Sequence, residues 1–497
     1  MKILSALSGT SFQLVRATTS CRVSAHKLET CATERGWVAL GLVVLLAMAS
    51  GGAVVAADPP PNIVLIFVDD MGYGDIGPFG NTKVRTPHLD TMAKEGMKFT
   101  SFYATPVCSM SRACLMTGSY NVRVSIPGVL FPPSVIGLHS DEVTLAEVAK
   151  QKKYATICIG KWHLGHREPF LPTKQGFDSY FGIPYSNDMA IDPKNAKFAK
   201  DCLFRADMTE EKARAGALPN TVPLMRGTEV VEYPADQSTL TKRYTEEAVK
   251  FIGDHQKEPF FVYLPHTMVH GPLAASTAFK GKSQAGLLGD AIEELDWSVG
   301  QIFKTLKDLK LDDKTLVIFT SDNGAAAGSS APWRGKKGSC FEGGVREPCI
   351  MRWPGKIPAG TTCNQIAGNI DVLPTFAKLL DVPLPENRVL DGRDITSLMF
   401  DPKASPVRDV HLYFNGQSKL EAIRQGDWKL FLLAPKNAKK DPITPPVLFN
   451  LKDDPSEQTN LADKHPEIVA KLKDEAAKRE AEILKNKRPA GQLEKGK

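Results

Sequence analysis

Ile63-Val64-Leu65-Ile66-Phe67-Val68, followed at once by Asp69-Asp70, is apolar at every position and then abruptly acidic. A strand with one wet face alternates apolar and polar side chains, so an unbroken run of this length suits a strand buried on both faces of a parallel sheet. Three more runs share the pattern: Ala155–Ile159 ahead of Lys161 and His163, Phe260–Leu264 ahead of His270, and Leu316–Phe319 ahead of Asp322-Asn323. Helical stretches lie between them, such as Leu145–Lys153, which Thr144 opens with Glu147 three residues on in the pattern of a capping box. The alternation predicts an α/β fold with helices on both faces of the sheet. In such folds ligands bind beyond the carboxyl ends of the strands, where these polar residues fall.

Working outward, Asp371–Leu380 reads as a helix and the Pro-rich Val382–Pro385 as a boundary. Beyond it, Val410–Phe414, Ala422–Arg424, Trp428–Leu433 and Val447–Leu451 read as short strands between turn residues, and Pro466–Lys485 as a charged helix. The chain has 497 residues, and single cores stop growing near roughly 250–300, so two domains are expected. They are a large one over 58–382 and a small antiparallel sheet with a helix over 383–497.

At the other end, a basic stretch with Lys27 and Arg35 runs into an apolar block from Trp37 to Ala56. Its length approaches the roughly 20 residues that span a bilayer. The closing Gly51-Gly52-Ala53 and Ala56-Ala57 nevertheless suit a signal peptidase, so residues 1–57 are expected to be a cleaved signal peptide. The expected protein is therefore exported, periplasmic or secreted, with no stable membrane association after cleavage. No Asn-x-Ser/Thr acceptor occurs, which favours a bacterial source. Hydrophobic residues at 42% and charged ones at 24% are ordinary globular usage and exclude a largely disordered chain. Of the formal charge of +6, residues 1–57 carry five basic and two acidic groups, leaving +3, too small a surplus to point to a nucleic acid partner. Of nine Cys, loss of Cys21 and Cys31 leaves seven, an odd number in an oxidising compartment, so at least one thiol serves something other than a disulfide.

Two features carry chemistry. Asp69-Asp70 and Asp322-Asn323 offer only oxygen ligands, which suits a hard divalent cation such as calcium or magnesium, although either pair alone could be a solvated turn. Cys108-Ser109-Met110-Ser111-Arg112 precedes a helix-like stretch, Ala113–Met116, so a nucleophile there would sit near a positive helix end suited to an anion. Arg112, about one turn along, would hold the nucleophile or the anion with its fork of donors. An isolated Cys is ordinarily a small buried hydrophobe.

The motifs form an ordered series. Pro61-Asn62-Ile63-Val64 runs into Asp69-Asp70, then comes Cys108-x-x-Ser111-Arg112 with Leu115-Met116-Thr117-Gly118, and then Gly160-Lys161-Trp162-His163-Leu164-Gly165. Val269-His270-Gly271-Pro272-Leu273, Ser321-Asp322-Asn323-Gly324 and Lys337-Gly338-Ser339 follow, the last leading into Glu342-Gly343-Gly344-Val345-Arg346-Glu347-Pro348. This series resembles that of the type I, formylglycine-dependent sulfatases, and Gly176-Phe177-Asp178 with Gly182–Ser186 is most similar to their arylsulfatase A-like branch.

The resemblance implies an alkaline-phosphatase-like α/β fold, with a large mixed, mostly parallel sheet sandwiched by helices and a small C-terminal antiparallel sheet with a helix. It implies a sulfuric ester hydrolase in which Cys108 is oxidised to formylglycine (3-oxoalanine), whose hydrate is both nucleophile and metal ligand and forms a covalent sulfo-enzyme intermediate. One Ca2+ would be held by Asp69, Asp70, Cys108, Asp322 and Asn323, and Arg112, Lys161 and Lys337 would hold the sulfate oxygens. His270 would protonate the leaving alcohol and His163 would accept the proton that lets the sulfate depart. His266 is the rival to His270, which is preferred for its Val-His-x-Pro-Leu position.

The implied partners are a sulfated small molecule or carbohydrate as substrate and the formylglycine-generating enzyme during maturation. Met110 stands where the family's maturation signal has Pro or Ala, so partial conversion is expected. Two other readings stay open: a phosphatase or phosphonate hydrolase of the same fold, and a non-catalytic sulfated-glycan binder with Cys108 unconverted. Substrate choice is expected to lie in loops such as Tyr185–Leu224 and in the small domain.

Overall fold

The computed structural model describes residues 60–132, 134–189, 222–435 and 444–493. The expected signal peptide, Cys202 and the greater part of the 185–224 loop lie outside the described residues, and Pro60–Lys497 cluster as one compact unit.

Along the chain the strands are β1 (Asn62–Val68), β2 (Met97–Tyr103), β3 (Ile136–Gly137), β4 (Ala155–Lys161), β5 (Ser179–Ile183), β6 (Leu224–Arg226) and β7 (Glu229–Glu232). They continue as β8 (Phe260–Leu264), β9 (Thr315–Ser321), β10 (Arg346–Arg352), β11 (Thr361–Cys363) and β12 (Ala367–Gly368). Near the C-terminus come β13 (Val410–Phe414), β14 (Leu420–Gln425), β15 (Trp428–Phe431), β16 (Val447–Asn450) and β17 (Gly491–Gln492). The large sheet runs β11-β2-β10-β9-β1-β8-β4-β5-β6-β7, with β12 on β2. Its centre, β9-β1-β8-β4-β5, is parallel, whereas β10 and the β6-β7 pair are antiparallel to their neighbours. The sheet is therefore mixed and mostly parallel.

Why β1 reads as an unbroken apolar run is visible in its packing. Ile63, Leu65 and Phe67 enter one core, shared with the helices α2 (Cys108–Thr117), α3 (Leu145–Lys150) and α6 (Val372–Leu379). Val64, Ile66 and Val68 enter the other, against α1 (Pro87–Glu95), α4 (Leu240–Asp254) and α5 (Gly286–Asp308). Burying both faces takes an apolar residue at every position from Ile63 to Val68.

The capping box at α3 forms as its sequence suggests, Glu147 N reaching Thr144 Oγ1 at 3.2 Å and Thr144 N reaching Glu147 Oε2 at 2.8 Å. The helix stops at Lys150 rather than running to Lys153, which takes a left-handed φ of 60°.

The β13–β16 sheet is antiparallel and packs with α7 (Pro466–Lys485). Met110 and Cys114 of α2 sit in the same core as Leu412, Phe414, Ile423, Leu430 and Leu448, so the helix that begins at Cys108 is wedged against this small sheet. Among the described residues no helix is long and apolar enough to cross a membrane. The six described cysteines are all free and buried.

Candidate active site

Four parallel neighbours, β4, β8, β1 and β9, end on one rim of the sheet, and the polar residues singled out in the sequence follow those ends. Asp69-Asp70 leave β1, Lys161 closes β4 with His163 beyond it, His270 lies past β8, and Asp322-Asn323 leave β9. The turns are tight. Asp70 and His163 both adopt left-handed φ of 61°, a conformation that costs a non-glycine residue about 1–3 kcal/mol and is held by its surroundings. Gly160 is fixed by close approach, since a Cβ there would lie 2.0 Å from the Pro265 carbonyl oxygen.

Cys108 does not precede its helix but begins it, behind an extended Val107 with no side-chain cap. The first-turn N–H groups of α2 thus point toward this rim, a favourable place for negative charge. The thiol lies 3.6 Å from Asp69 Oδ1 and accepts from Lys337 Nζ at 3.3 Å. Lys161 Nζ is 2.5 Å from Asp69 Oδ2, and Lys337 Nζ is 2.6 Å from Asp70 Oδ1. Asn323 Nδ2 donates to Asp70 Oδ1 at 2.7 Å. Ligand atoms of Asp69, Asp70, Cys108 and His270 all lie within 4.8 Å of one another, and among the described residues no second such cluster of metal-ligating side chains occurs.

Asp69, Asp70, Asp322 and Asn323 are at most 1% exposed, so neither pair is a solvated turn. Arg112 Nη2 donates to Asp322 Oδ2 at 2.8 Å and Nη1 to the Lys161 carbonyl at 2.7 Å. It is a fully buried strut that ties the β9 end to the β4 end.

Burial and counter-charge set the ionisation. Burial opposes charge on Asp69, yet Lys161, His270, Arg112 and Lys337 together hold its carboxyl well below the usual range. For Asp322 burial, reinforced by Asp69, prevails over Arg112 and Lys161 and pushes it up to about 7. The Cys108 thiol is pushed up to about 12, chiefly by burial, so as a thiol it is protonated and a weak nucleophile at neutral pH. Burial lowers both His163 and His270, helped by Lys161 at the first and Lys337 at the second.

His163 Nε2 lies 2.9 Å from the Leu130 carbonyl, while its buried Nδ1 has no hydrogen-bond partner. Its Nε2 therefore carries the proton and Nδ1 keeps a lone pair. His270 Nδ1 lies 2.9 Å from Asn187 Oδ1 and 2.7 Å from the Gly271 carbonyl, leaving Nε2 toward Asp70 Oδ2 at 3.7 Å. His266 instead faces Ser298 Oγ at 3.2 Å on α5, away from the carboxylates.

Sequence reasoning missed three residues. Ser186 Oγ accepts from Lys161 Nζ at 3.1 Å and lies 3.4 Å from His270. Asn187 orients the His270 ring and is itself gripped by Gln237, whose Oε1 accepts from Asn187 Nδ2 at 2.8 Å. Ser186 closes the Gly182–Ser186 motif and Asn187 follows it, and their position just past a strand end was the available signal.

The donor set fits a hard divalent cation. Asp70 Oδ2 and Asn323 Oδ1 are buried oxygens with no hydrogen-bond partner, an arrangement that is costly unless something positive is supplied.

Residues 61–382 match the family model described as Sulfatase, and residues 333–482 match the C-terminal model described as N-sulphoglucosamine sulphohydrolase. Human arylsulfatase A is 38% identical, over 86% of this chain and 89% of that protein. Human steryl-sulfatase is 34% identical, over 85% and 88% respectively. Among solved structures, a Bacteroides thetaiotaomicron protein described in the metabolism of multiple glycosaminoglycans superposes with a TM-score of 0.73 at 30% identity, covering 85% of this chain and 100% of that one.

Proposed function

The chain belongs to the sulfatase family and is a sulfuric ester hydrolase, and from that premise we propose that it works with formylglycine at position 108 and a calcium ion held by Asp69, Asp70, Asp322 and Asn323. The observation that carries this reading is Cys108 at a helix N-terminus, 3.3 Å from Lys337 Nζ and 3.6 Å from Asp69 Oδ1. When present, the aldehyde hydrate supplies the attacking oxygen and the calcium ion supplies positive charge to the sulfate oxygens.

This chain's own residues do the rest. Lys161 and Lys337 bring two ammonium groups to bear on the sulfate, in a site where burial excludes water and strengthens each interaction. Arg112 contributes through position, holding the Asp322 and Lys161 ends together. His270, with Nδ1–H committed to Asn187 and Gly271, turns Nε2 toward the site, and it is the doubly protonated ring that delivers a proton from Nε2 to the leaving oxygen. His163 keeps Nδ1 to accept a proton.

The substrate is a sulfated glycan or a sulfated small molecule. Maturation by a formylglycine-generating enzyme, export by way of a signal peptide at 1–57, and division into a catalytic domain 58–382 and a small domain 383–497 belong to the same proposal. The first family match ends at 382, where the division is placed. Mass spectrometry of the peptide containing position 108, with calcium content and sulfatase rate in the same preparations, tests the core of it. Turnover that does not track the aldehyde fraction, or that survives complete removal of divalent ions, would refute it.

A further inference from the structure

Lys337 reaches the site from a loop leading into β10, whose tip is tied where Lys337 N donates to the Ala325 carbonyl at 3.2 Å and Gly338 N to the Pro106 carbonyl at 2.8 Å. Segment 334–343 closes on itself where Gly343 N donates to the Arg334 carbonyl at 2.7 Å. A side chain at Gly343 would not fit, because its Cβ would lie 2.5 Å from the Gly335 carbonyl oxygen. The base of this loop is gripped by the small sheet and the turn after it. Arg334 Nη1 donates to the Glu457 carbonyl at 2.7 Å, and Glu342 N donates to Glu457 Oε2 at 2.7 Å. Lys429 on β15 donates to the Cys340 carbonyl at 2.7 Å and to Glu342 Oε1 at 2.9 Å, and it lies 2.8 Å from Glu457 Oε1.

Lys429, Glu342 and Glu457 are all fully buried. Glu342 is further satisfied by the Tyr103 hydroxyl at 2.6 Å, by Arg346 at 3.2 Å and by the Tyr413 hydroxyl at 3.3 Å. A buried ammonium bound to a carbonyl and two carboxylates tolerates little displacement, because each lost contact leaves an uncompensated charge out of water. Apolar side chains would pack this seam as well at lower desolvation cost, so the network is better explained by the geometry it imposes than by stability.

We propose that Lys429 is a positioning residue for sulfate ester hydrolysis: through Cys340, Glu342 and Glu457 it fixes the base of the 334–343 loop and thereby places Lys337 Nζ beside position 108. The small sheet is then a working part of the active site. This inference rests on the reading of Lys337 as a group that holds sulfate.

The test is a double-mutant cycle on the mature, calcium-loaded enzyme. Turnover of nitrophenyl sulfate and inhibition by inorganic sulfate are measured for Lys429→Met, Lys337→Met and the double variant, with aldehyde and calcium contents determined for each. A misplacement of about 1 Å can cost on the order of 100-fold, so Lys429→Met is expected to lower kcat/KM roughly ten- to a hundredfold. It should also weaken sulfate inhibition at unchanged calcium content, and add nothing once Lys337 is Met. Unaltered kinetics in folded Lys429→Met, or an equal loss with Lys337 present and absent, overturns the proposal. Unaltered kinetics in Lys337→Met overturns instead the role given to Lys337. Should Lys429→Met not fold, Arg334→Met releases a more exposed hold on the same base, and its loss must likewise vanish in the Lys337→Met background.

Discussion

Asp322→Ala perturbs metal binding and the fold together, and the structure allows the two to be separated. Asp322 Oδ2 is the 2.8 Å partner of Arg112 Nη2, and both side chains are fully buried. Removing one member of such a pair costs about 3–5 kcal/mol, because the other charge stays buried without its partner. Here the lower end applies, for Arg112 keeps the Lys161 carbonyl at 2.7 Å and a second carboxylate, Asp69, at 3.5 Å. Asp70 N also loses its acceptor, Asp322 Oδ1 at 3.2 Å, at a further cost of about 1 kcal/mol. The total is roughly 4 kcal/mol of stability in metal-free protein, on top of lost calcium and lost turnover. Denaturant midpoints in chelator read the first quantity, and elemental analysis with a sulfatase assay reads the others. Asp409→Ala, at an exposed carboxylate, is the control and should stay within about 0.5 kcal/mol. An Asp322→Ala protein as stable as wild type in chelator would refute the strut role of Arg112, and one that keeps calcium and full activity would refute the metal assignment.

Three further outcomes are expected. His270→Ala should slow sulfate esters of sugar alcohols far more than nitrophenyl sulfate, whose leaving group hardly needs a proton; equal losses on both would mean that His270 only positions. Met110→Pro should raise the aldehyde fraction and the rate together, but at a price, since Met110 is fully buried between α2 and the small sheet. Losing that packing costs about 2–5 kcal/mol, and melting at unchanged temperature would show that Met110 is not a wedge. His266 is pushed down to about 3 by burial, so the folded state refuses a proton that the unfolded chain accepts near 6.5, and stability is lost as pH falls through that window. Between pH 7 and pH 4 the effect is roughly 3 kcal/mol, and in His266→Gln the urea midpoint should fall less over that range; parallel decreases in both proteins would contradict it.

The sequence by itself determined the layered α/β plan and most of the chemistry. Residues such as Val64 and Leu65 must be apolar on both faces of a central strand, so the runs announced β1, β4, β8 and β9, and the polar residues after them announced the rim. The capping box that begins α3 and the bounds of α7 were equally local, fixed by a hydrogen-bond pair and by a charged amphipathic period. Tertiary structure alone decided what lies between elements far apart in the chain. It set β10 antiparallel in the sheet, turned Arg112 onto Asp322 across 210 residues, and gave Met110 a buried seat against the small sheet. It also brought Ser186 and Asn187 to His270, across 84 and 83 residues respectively. Lys429 is the clearest case: in the sequence it is one lysine in a short strand, and only the folded chain buries it between Glu342 and Glu457. Such contacts leave no period or spacing to read, because they are chosen by packing and by the need to pair every buried charge, conditions that apply to the whole fold at once.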